Sequence, residues 1–397
     1  MRKSLEELIN STPELKILVD KAIERTVGNP IRVAIPAADA ENILKGVFMA
    51  QEDGFVDPIL IGSYRKINET LERIGMADRK YDLHPISNDI NSVQYAIEMI
   101  KAGSADMLMR GNTQTRDFLL PVLNKANHLI RPGRILTHIV MLKIPTYDKL
   151  LALSDVTLLV HPSIEMRKEV VRNMVDALHV FGVKNPNIAL LSLIEKPAFH
   201  MKDTVEAQTI VIDHNDSPIA PCNLVGPITW DLIVSKEAAR LKGYDNPACG
   251  DFHGVVVQNL MNGNLIVKVL QASCGAHNCG ILIGANIPIA ITGRSESPDE
   301  SYLSLAACAA MNASPIRDSI LPDRVIACAL RRSATDILLN RVSACALPAV
   351  SASENDRERI AESGRGQPGT IRPRTAGMRF RIVRTALRKE LKKHWKA

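Results

Sequence analysis

A chain of 397 residues with 46% hydrophobic and 23% charged residues can bury a substantial core and has room for two domains. An aromatic content of 4% argues against a protein that stacks bases on exposed rings, and no uncharged apolar run approaches the roughly 18 residues of a membrane span. The net charge of +6 conceals an asymmetry, because residues 312–397 carry 18 Lys+Arg against 8 Asp+Glu, leaving 31 against 35 in the preceding 311 residues.

In chain order, Ser4–Lys21 reads as an amphipathic helix closed by Asn29-Pro30. Short β-branched runs then alternate with longer mixed segments. Ile31–Ala37, Pro58–Gly62, Tyr81–Ser87 and Ala105–Met109 are predicted strands; Asp39–Glu52, Tyr64–Ile74, Asp89–Ala102 and Thr115–Ala126 are predicted helices. The second half continues with strands at Ile135–Ile144, Val156–Val160 and Ile188–Ile194 and a long helix over Ser163–Phe181. Thr209–Ile212, Cys222–Val225 and Val255–Gln258 are further strand candidates, and Ile281–Ile291 is a buried strand leading to a helix over Pro298–Met311. This alternation predicts an α/β protein with a mainly parallel sheet covered by helices on both faces. Residues 312–397 break the rhythm: they carry 14 arginines with scattered Pro, Gly and Ser, have the composition of a poorly ordered extension, and suggest a short basic helix over Ala386–Trp395. Such a tail offers at most nonspecific binding to nucleic acid or an anionic surface.

Seven cysteines in a chain that opens on a charged helical segment, with no apolar signal region, fit a cytoplasmic protein with reduced thiols. Cys274-Gly-Ala-His277-Asn-Cys279 lacks a second cluster to complete four ligands, so no metal is expected. His138 and His161 read as structural, and Asp39, Asp106 and Asp231 as caps or turn residues. No nucleotide P-loop, nucleophile elbow or zinc-protease motif is present.

Three segments invite an anion. The turn Thr292-Gly293-Arg294-Ser295-Glu296-Ser297 delivers an arginine, hydroxyls and free backbone N–H groups to a helix start, where the helix dipole is positive. Arg110-Gly111-Asn112 ends another strand just before a helix near Thr115, where open α/β sheets bind ligands. Asn262-Gly263-Asn264 reads as a tight turn with Lys268 one helical turn later, suited to a phosphate or pantetheine group.

Seven ordered blocks link these segments: ADMLMRGN-x-x-T-x-D-F-L, RPGRILTH, P-T-Y-D-K-L-L, EKPAFHMKDTVEA, GPITWD-x-x-V-S-x-EAA, N-x-x-x-GN-x-x-x-K and GANIPI-x-x-TGR-x-x-S. In this order they resemble the phosphate acetyltransferase and butyryltransferase family, nearest the butyryl branch, over residues 1 to about 311. The resemblance implies two α/β/α domains with mainly parallel sheets, like the isocitrate and isopropylmalate dehydrogenases, with the active site in the cleft between them. Residues 1–137 and 283–311 would form one domain and 138–282 the other. It further implies a homodimer that needs no cofactor and moves a short acyl group between coenzyme A and inorganic phosphate. Arg294 would clamp the dianionic phosphate, and Asp299 or Glu300 would deprotonate the coenzyme A thiol. Gly111, Asn112, Thr115, Asp231, Gly263, Asn264, Lys268, Thr292, Ser295 and Ser297 would contact substrates. The chain departs from the family at Gly293, where serine is usual, and at Leu120 and His200, where basic residues are usual. Those departures leave open a catalytically impaired paralogue that binds coenzyme A or phosphate without turnover.

Overall fold

A computed structural model describes residues 2–311; the basic segment 312–397, including the helix expected at Ala386–Trp395, lies outside the described residues. The helices are α1 (Arg2–Ser11), α2 (Pro13–Thr26), α3 (Glu41–Glu52), α4 (Tyr64–Arg73), α5 (Asp89–Lys101), α6 (Thr115–Leu123), α7 (Ile164–Val180), α8 (Lys202–Asp216), α9 (Trp230–Val234), α10 (Lys236–Lys242), α11 (Leu260–Cys274) and α12 (Pro298–Met311). The strands are β1 (Ile31–Pro36), β2 (Val56–Gly62), β3 (Asp82–Pro85), β4 (Met107–Met109), β5 (Thr137–Lys143), β6 (Leu150–Ser154), β7 (Asn187–Leu191), β8 (Asn223–Ile228), β9 (Gly254–Val256), β10 (His277–Ile283) and β11 (Ile289–Ala290).

Several expectations are corrected. The lead-in is two helices, because Pro13 starts α2 at a position where its missing N–H has no helical partner to lose. Thr209–Ile212 is β-branched yet lies inside α8, where Thr204, Ala207, Ile210 and His214 bury one face at helical spacing. The expected strand Val156–Val160 is a loop folded around Asp155, and the strand is the fully buried β6 just before it. Ile281–Ile291 is two antiparallel strands, not one. The reversal between them turns at Gly284, whose φ of +105° and tight seat on the Ile135 carbonyl admit no side chain. Asn262-Gly263-Asn264 is the first turn of α11, capped by the Asn259 side chain, which accepts the Asn262 N–H at 3.1 Å.

The strands form one sheet of eleven in the order β3-β2-β1-β4-β11-β10-β5-β6-β9-β7-β8. Its wings, β3-β2-β1-β4-β11 and β6-β9-β7-β8, are parallel throughout. The seam β11-β10-β5-β6 is antiparallel, so the wings run in opposite directions.

Apolar packing differs between the two faces. On one face a single cluster runs from Leu18, Phe48 and Leu305 across Ile139 and Ile281 to Met174, Leu178 and Ile210, so α2, α3, α12, α7 and α8 form a continuous layer over both wings. On the other face α5 and α6 cover the first wing, while α9, α10 and α11 cover the second around Phe252 and Val267. The helix α12 is buried almost all round by small and apolar residues, which suits a central helix rather than a surface one. It fits closely against α3 at Gly46, where a Cβ would lie 2.5 Å from the Pro298 carbonyl oxygen.

Candidate active site

Because β1, β4 and β11 are parallel neighbours, the loops after their carboxyl ends leave the same edge of the sheet. Gly111 crosses directly over the end of β1: a Cβ there would lie 2.0 Å from the Pro36 carbonyl oxygen. Asn112 is pinned to the same loop, donating its backbone N–H to the Ala37 carbonyl at 2.9 Å and its side-chain amide to Asp39 at 3.0 Å. Gly111→Ala is expected to destabilise the fold by about 3 kcal/mol, the upper range for overpacking, because the obstructing atom is backbone. Urea unfolding of the variant against the parent checks this, and an unchanged midpoint would contradict it.

Arg110 ties the two turns together. It is buried, donates Nη1–H to the Thr292 carbonyl at 2.9 Å, and donates from Nε at 3.2 Å and Nη2 at 2.6 Å to the Thr113 carbonyl. Burial, then the nearby Arg294 charge, pulls its guanidinium down to about 10, still protonated at neutral pH. Arg294 is exposed and makes no hydrogen bond among the described residues, so two cations approach one another with the outer one uncommitted.

Ser297 and Glu300 form a capping box at the start of α12, with Pro298 between them as the first helical residue. The Glu300 carboxylate accepts the Ser297 backbone N–H at 2.6 Å and an Asn278 side-chain N–H at 3.3 Å; the Glu300 N–H points back to Ser297 Oγ at 3.5 Å. Burial, reinforced by the Glu296 charge, lifts the Glu300 carboxyl to about 7. Burial also raises Asp299, whose Oδ1 is buried without a partner. Thr292 is buried with an unpartnered hydroxyl, Thr115 half-buried, and Ser295 exposed. At Gly293 a Cβ would fall 2.7 Å from Glu296 Oε1, so the glutamate carboxylate occupies the space a side chain there would take.

The third segment joins through α11. Asn264, Lys268 and Gln271 follow at i, i+4 and i+7, one helical stripe, and Gln271 Nε2 donates to Glu296 Oε1 at 3.4 Å. Asn264 and Lys268 are exposed, and Asn264 donates to the Val156 carbonyl at 3.2 Å. Gly263 presses on the Asp155 backbone, its Cβ position 2.3 Å from that carbonyl oxygen. Asp155 in turn accepts four backbone N–H groups, from His138, Thr157, Leu158 and Leu159, at 2.6 to 3.0 Å. Burial pushes its carboxyl upward, with those N–H groups opposing.

The sequence places Arg110 and Glu296 in candidate anion turns without giving either a role of its own, and His138 reads there as structural. His138 is only half satisfied: Nδ1 lies 2.6 Å from Thr157 Oγ1, while Nε2 is buried without a partner and lies 2.7 Å from where a Cβ on Gly280 would be. Burial, with Arg110 adding, lowers its imidazole to about 3, so it is neutral. Other candidates stand apart from this cluster. Asp231 pairs with Lys242 at 2.9 Å beside Glu195 and Thr229, and no hydrogen bond or ion pair among the described residues links it to the arginine turns. Asp106 is no cap but the bidentate partner of Arg32 at 2.7 and 2.8 Å, and Asp39 is the turn residue that holds Asn112. Leu120 and His200 are exposed. No group of three potential metal ligands occurs among the described residues, and no helix among them is long and apolar enough to cross a membrane.

Two neighbouring arginines beyond the carboxyl ends of parallel strands, beside a buried carboxyl at a helix start, mark an α/β protein whose turns are compatible with an anion. Residues 84–310 match the profile of the phosphate acetyl/butaryl transferase family, and the chain belongs to that family. It is 30% identical to the phosphate butyryltransferase of Clostridium acetobutylicum over 278 residues, 70% of this chain and 92% of that protein. It is 24% identical to the phosphate acetyltransferase of Thermotoga maritima over 290 residues, 73% of this chain and 98% of the relative. The crystal structure of a branched-chain phosphotransacylase from Enterococcus faecalis superposes with a TM-score of 0.62 at 27% identity, over 71% of this chain and 99% of that one.

Proposed function

We propose that this chain reversibly transfers a short acyl group, butyryl or similar, between coenzyme A and inorganic phosphate. The observation that carries the reading is the Arg110 tie, which brings the turns at 110–115 and 292–297 together and leaves Arg294 free to take a dianion. The relatives that support it are named for transfer to phosphate, and they span both acetyl and butyryl enzymes. Phosphate held by Arg294 attacks the thioester carbonyl, and backbone N–H groups of the turn take up the oxyanion charge as the tetrahedral intermediate forms. Its collapse expels the coenzyme A thiolate, which Glu300 protonates; in reverse, Glu300 removes the thiol proton. A carboxyl near 7 is matched to that exchange, which favours Glu300 over Asp299 as the base. Asn264 and Lys268 extend the site toward the coenzyme A chain, and Gly111, Asn112, Thr115, Thr292, Ser295 and Ser297 line its phosphate end. The scheme draws on no cofactor and no metal.

The two separate apolar clusters on one face of the sheet support a division into two domains, 1–137 with 283–311 and 138–282, with the site in the cleft between them as in the isocitrate dehydrogenase-like folds. His138 lies on that face between Leu136 of one cluster and Val140 of the other, at the floor of such a cleft. A cytoplasmic homodimer completes the reading. Gly293, with a carboxylate filling its side-chain space, favours one alternative: a paralogue that binds coenzyme A without exchange.

The expected result is loss of the butyryl-CoA thioester that depends on added phosphate and slows with acetyl-CoA. Thioester loss that ignores millimolar phosphate would discard the proposal, and calorimetric binding of coenzyme A without exchange would favour the impaired paralogue.

A further inference from the structure

The turn that would receive phosphate carries an acid of its own. Glu296 follows Arg294 by two residues, and its backbone N–H closes the turn onto the Gly293 carbonyl at 3.1 Å. The backbone is fixed at a second point, where the Glu296 carbonyl accepts from Asn42 at 2.7 Å. The carboxylate, by contrast, is nearly uncommitted. Oε1 receives only a long bond from Gln271 at 3.4 Å, and Oε2 is buried with no partner. The space it occupies exists because residue 293 is glycine. Its charge acts on both Arg110 and Glu300.

A partly exposed carboxylate whose Oε1 holds one long bond, in a turn that would receive an anion, conflicts with any fully deprotonated anion: two negative oxygens would meet with no proton between them. The conflict disappears for an anion that brings its own O–H. Inorganic phosphate near neutral pH always keeps at least one proton, and sulfate, of the same shape and charge as hydrogenphosphate, keeps none. We infer that Glu296 is a specificity-determining residue of the anion site, accepting the remaining O–H of hydrogenphosphate and thereby rejecting sulfate. No bond is broken in this recognition: the phosphate proton stays on phosphate, and an unprotonated phosphate oxygen remains the nucleophile. Specificity of this kind rests on the repulsive element as much as the attractive one. The inference deepens the proposed function and rests on it for the identity of the anion.

The test measures inorganic phosphate and sulfate against the full chain and against Glu296→Gln and Glu296→Ala, by calorimetry and as sulfate inhibition of phosphate-dependent thioester loss. Glutamine keeps the shape and offers an N–H donor to sulfate, and alanine removes the repelling charge without adding a donor. The parent is expected to bind phosphate and ignore sulfate, and in both variants the preference for phosphate should fall on the order of tenfold or more, the effect of one hydrogen bond to a charged group. Unchanged preference in both variants, sulfate binding as tight as phosphate in the parent, or no phosphate binding by the parent would each overturn the inference. Phosphate selectivity that depends on Glu296 without any thioester exchange would support it while overturning the acyl-transfer reading.

Discussion

Arg294→Gln is expected to lower kcat/KM for phosphate by about 10²–10³, the effect of deleting one preorganised donor from a transition-state charge site. The prediction follows from how differently the two arginines are committed. Arg110 spends its donors on the Thr113 and Thr292 carbonyls and is buried, so its removal would unfasten both turns. Arg294 is exposed and bound to nothing among the described residues, so its loss should leave the fold intact. Thermal unfolding of Arg294→Gln should therefore coincide with the parent while thioester loss at subsaturating phosphate collapses. Arg294→Lys separates charge from shape: an ammonium retains the charge but not the fork that pairs with two oxygens, so it should recover only part of the rate. Equal rates for parent and Arg294→Gln across phosphate concentrations would remove Arg294 from the phosphate site.

That arginine was legible in the sequence because the turn around it is local: strand, glycine, arginine, hydroxyl and helix start are consecutive in the chain. The alternation of β-branched and helical segments revealed the parallel wings for the same reason, since each strand and its following helix are adjacent in sequence. What the sequence hid is long-range. Nothing in Arg110 or Thr292 separately says that 182 positions apart one donates to the other. Gln271 has no local signal that marks it as the contact from α11 to Glu296, although the stripe it shares with Lys268 could have been drawn once α11 was recognised as starting at Leu260. Misreadings at Val156–Val160 and Thr209–Ile212 have one cause. A short β-branched run carries the same composition whether a sheet, a helix or a loop folded around a buried aspartate receives it, and tertiary packing decides.

Glu300→Gln should cut kcat by about 10²–10⁴ in either direction while sparing the helix start, because glutamine serves the third position of a capping box as glutamate does. The amide oxygen can still accept the Ser297 N–H, so the turn that carries Arg294 keeps its form. Only the exchangeable proton is lost. In the parent, the rate of acyl transfer from acyl phosphate to coenzyme A should rise as pH increases through about 7, since the base must be deprotonated to take the thiol proton; the variant should lack that limb. Stability supplies a second readout, which reports the raised carboxyl itself rather than its part in the reaction. The Glu300 carboxyl moves from an ordinary 4.5 to about 7 on folding, so the folded state holds the proton more tightly. Its contribution is fully present below about pH 4.5 and is lost as pH rises through about 7, a swing on the order of 3 kcal/mol that Glu300→Gln abolishes. Urea unfolding of both proteins at pH 5 and pH 8 measures that difference directly, with every other titrating group common to the pair. A stability difference that is the same at both pH values would show that the carboxyl is not raised, and a variant that keeps the parent's rate would leave Glu300 a helix cap and return the role of base to Asp299.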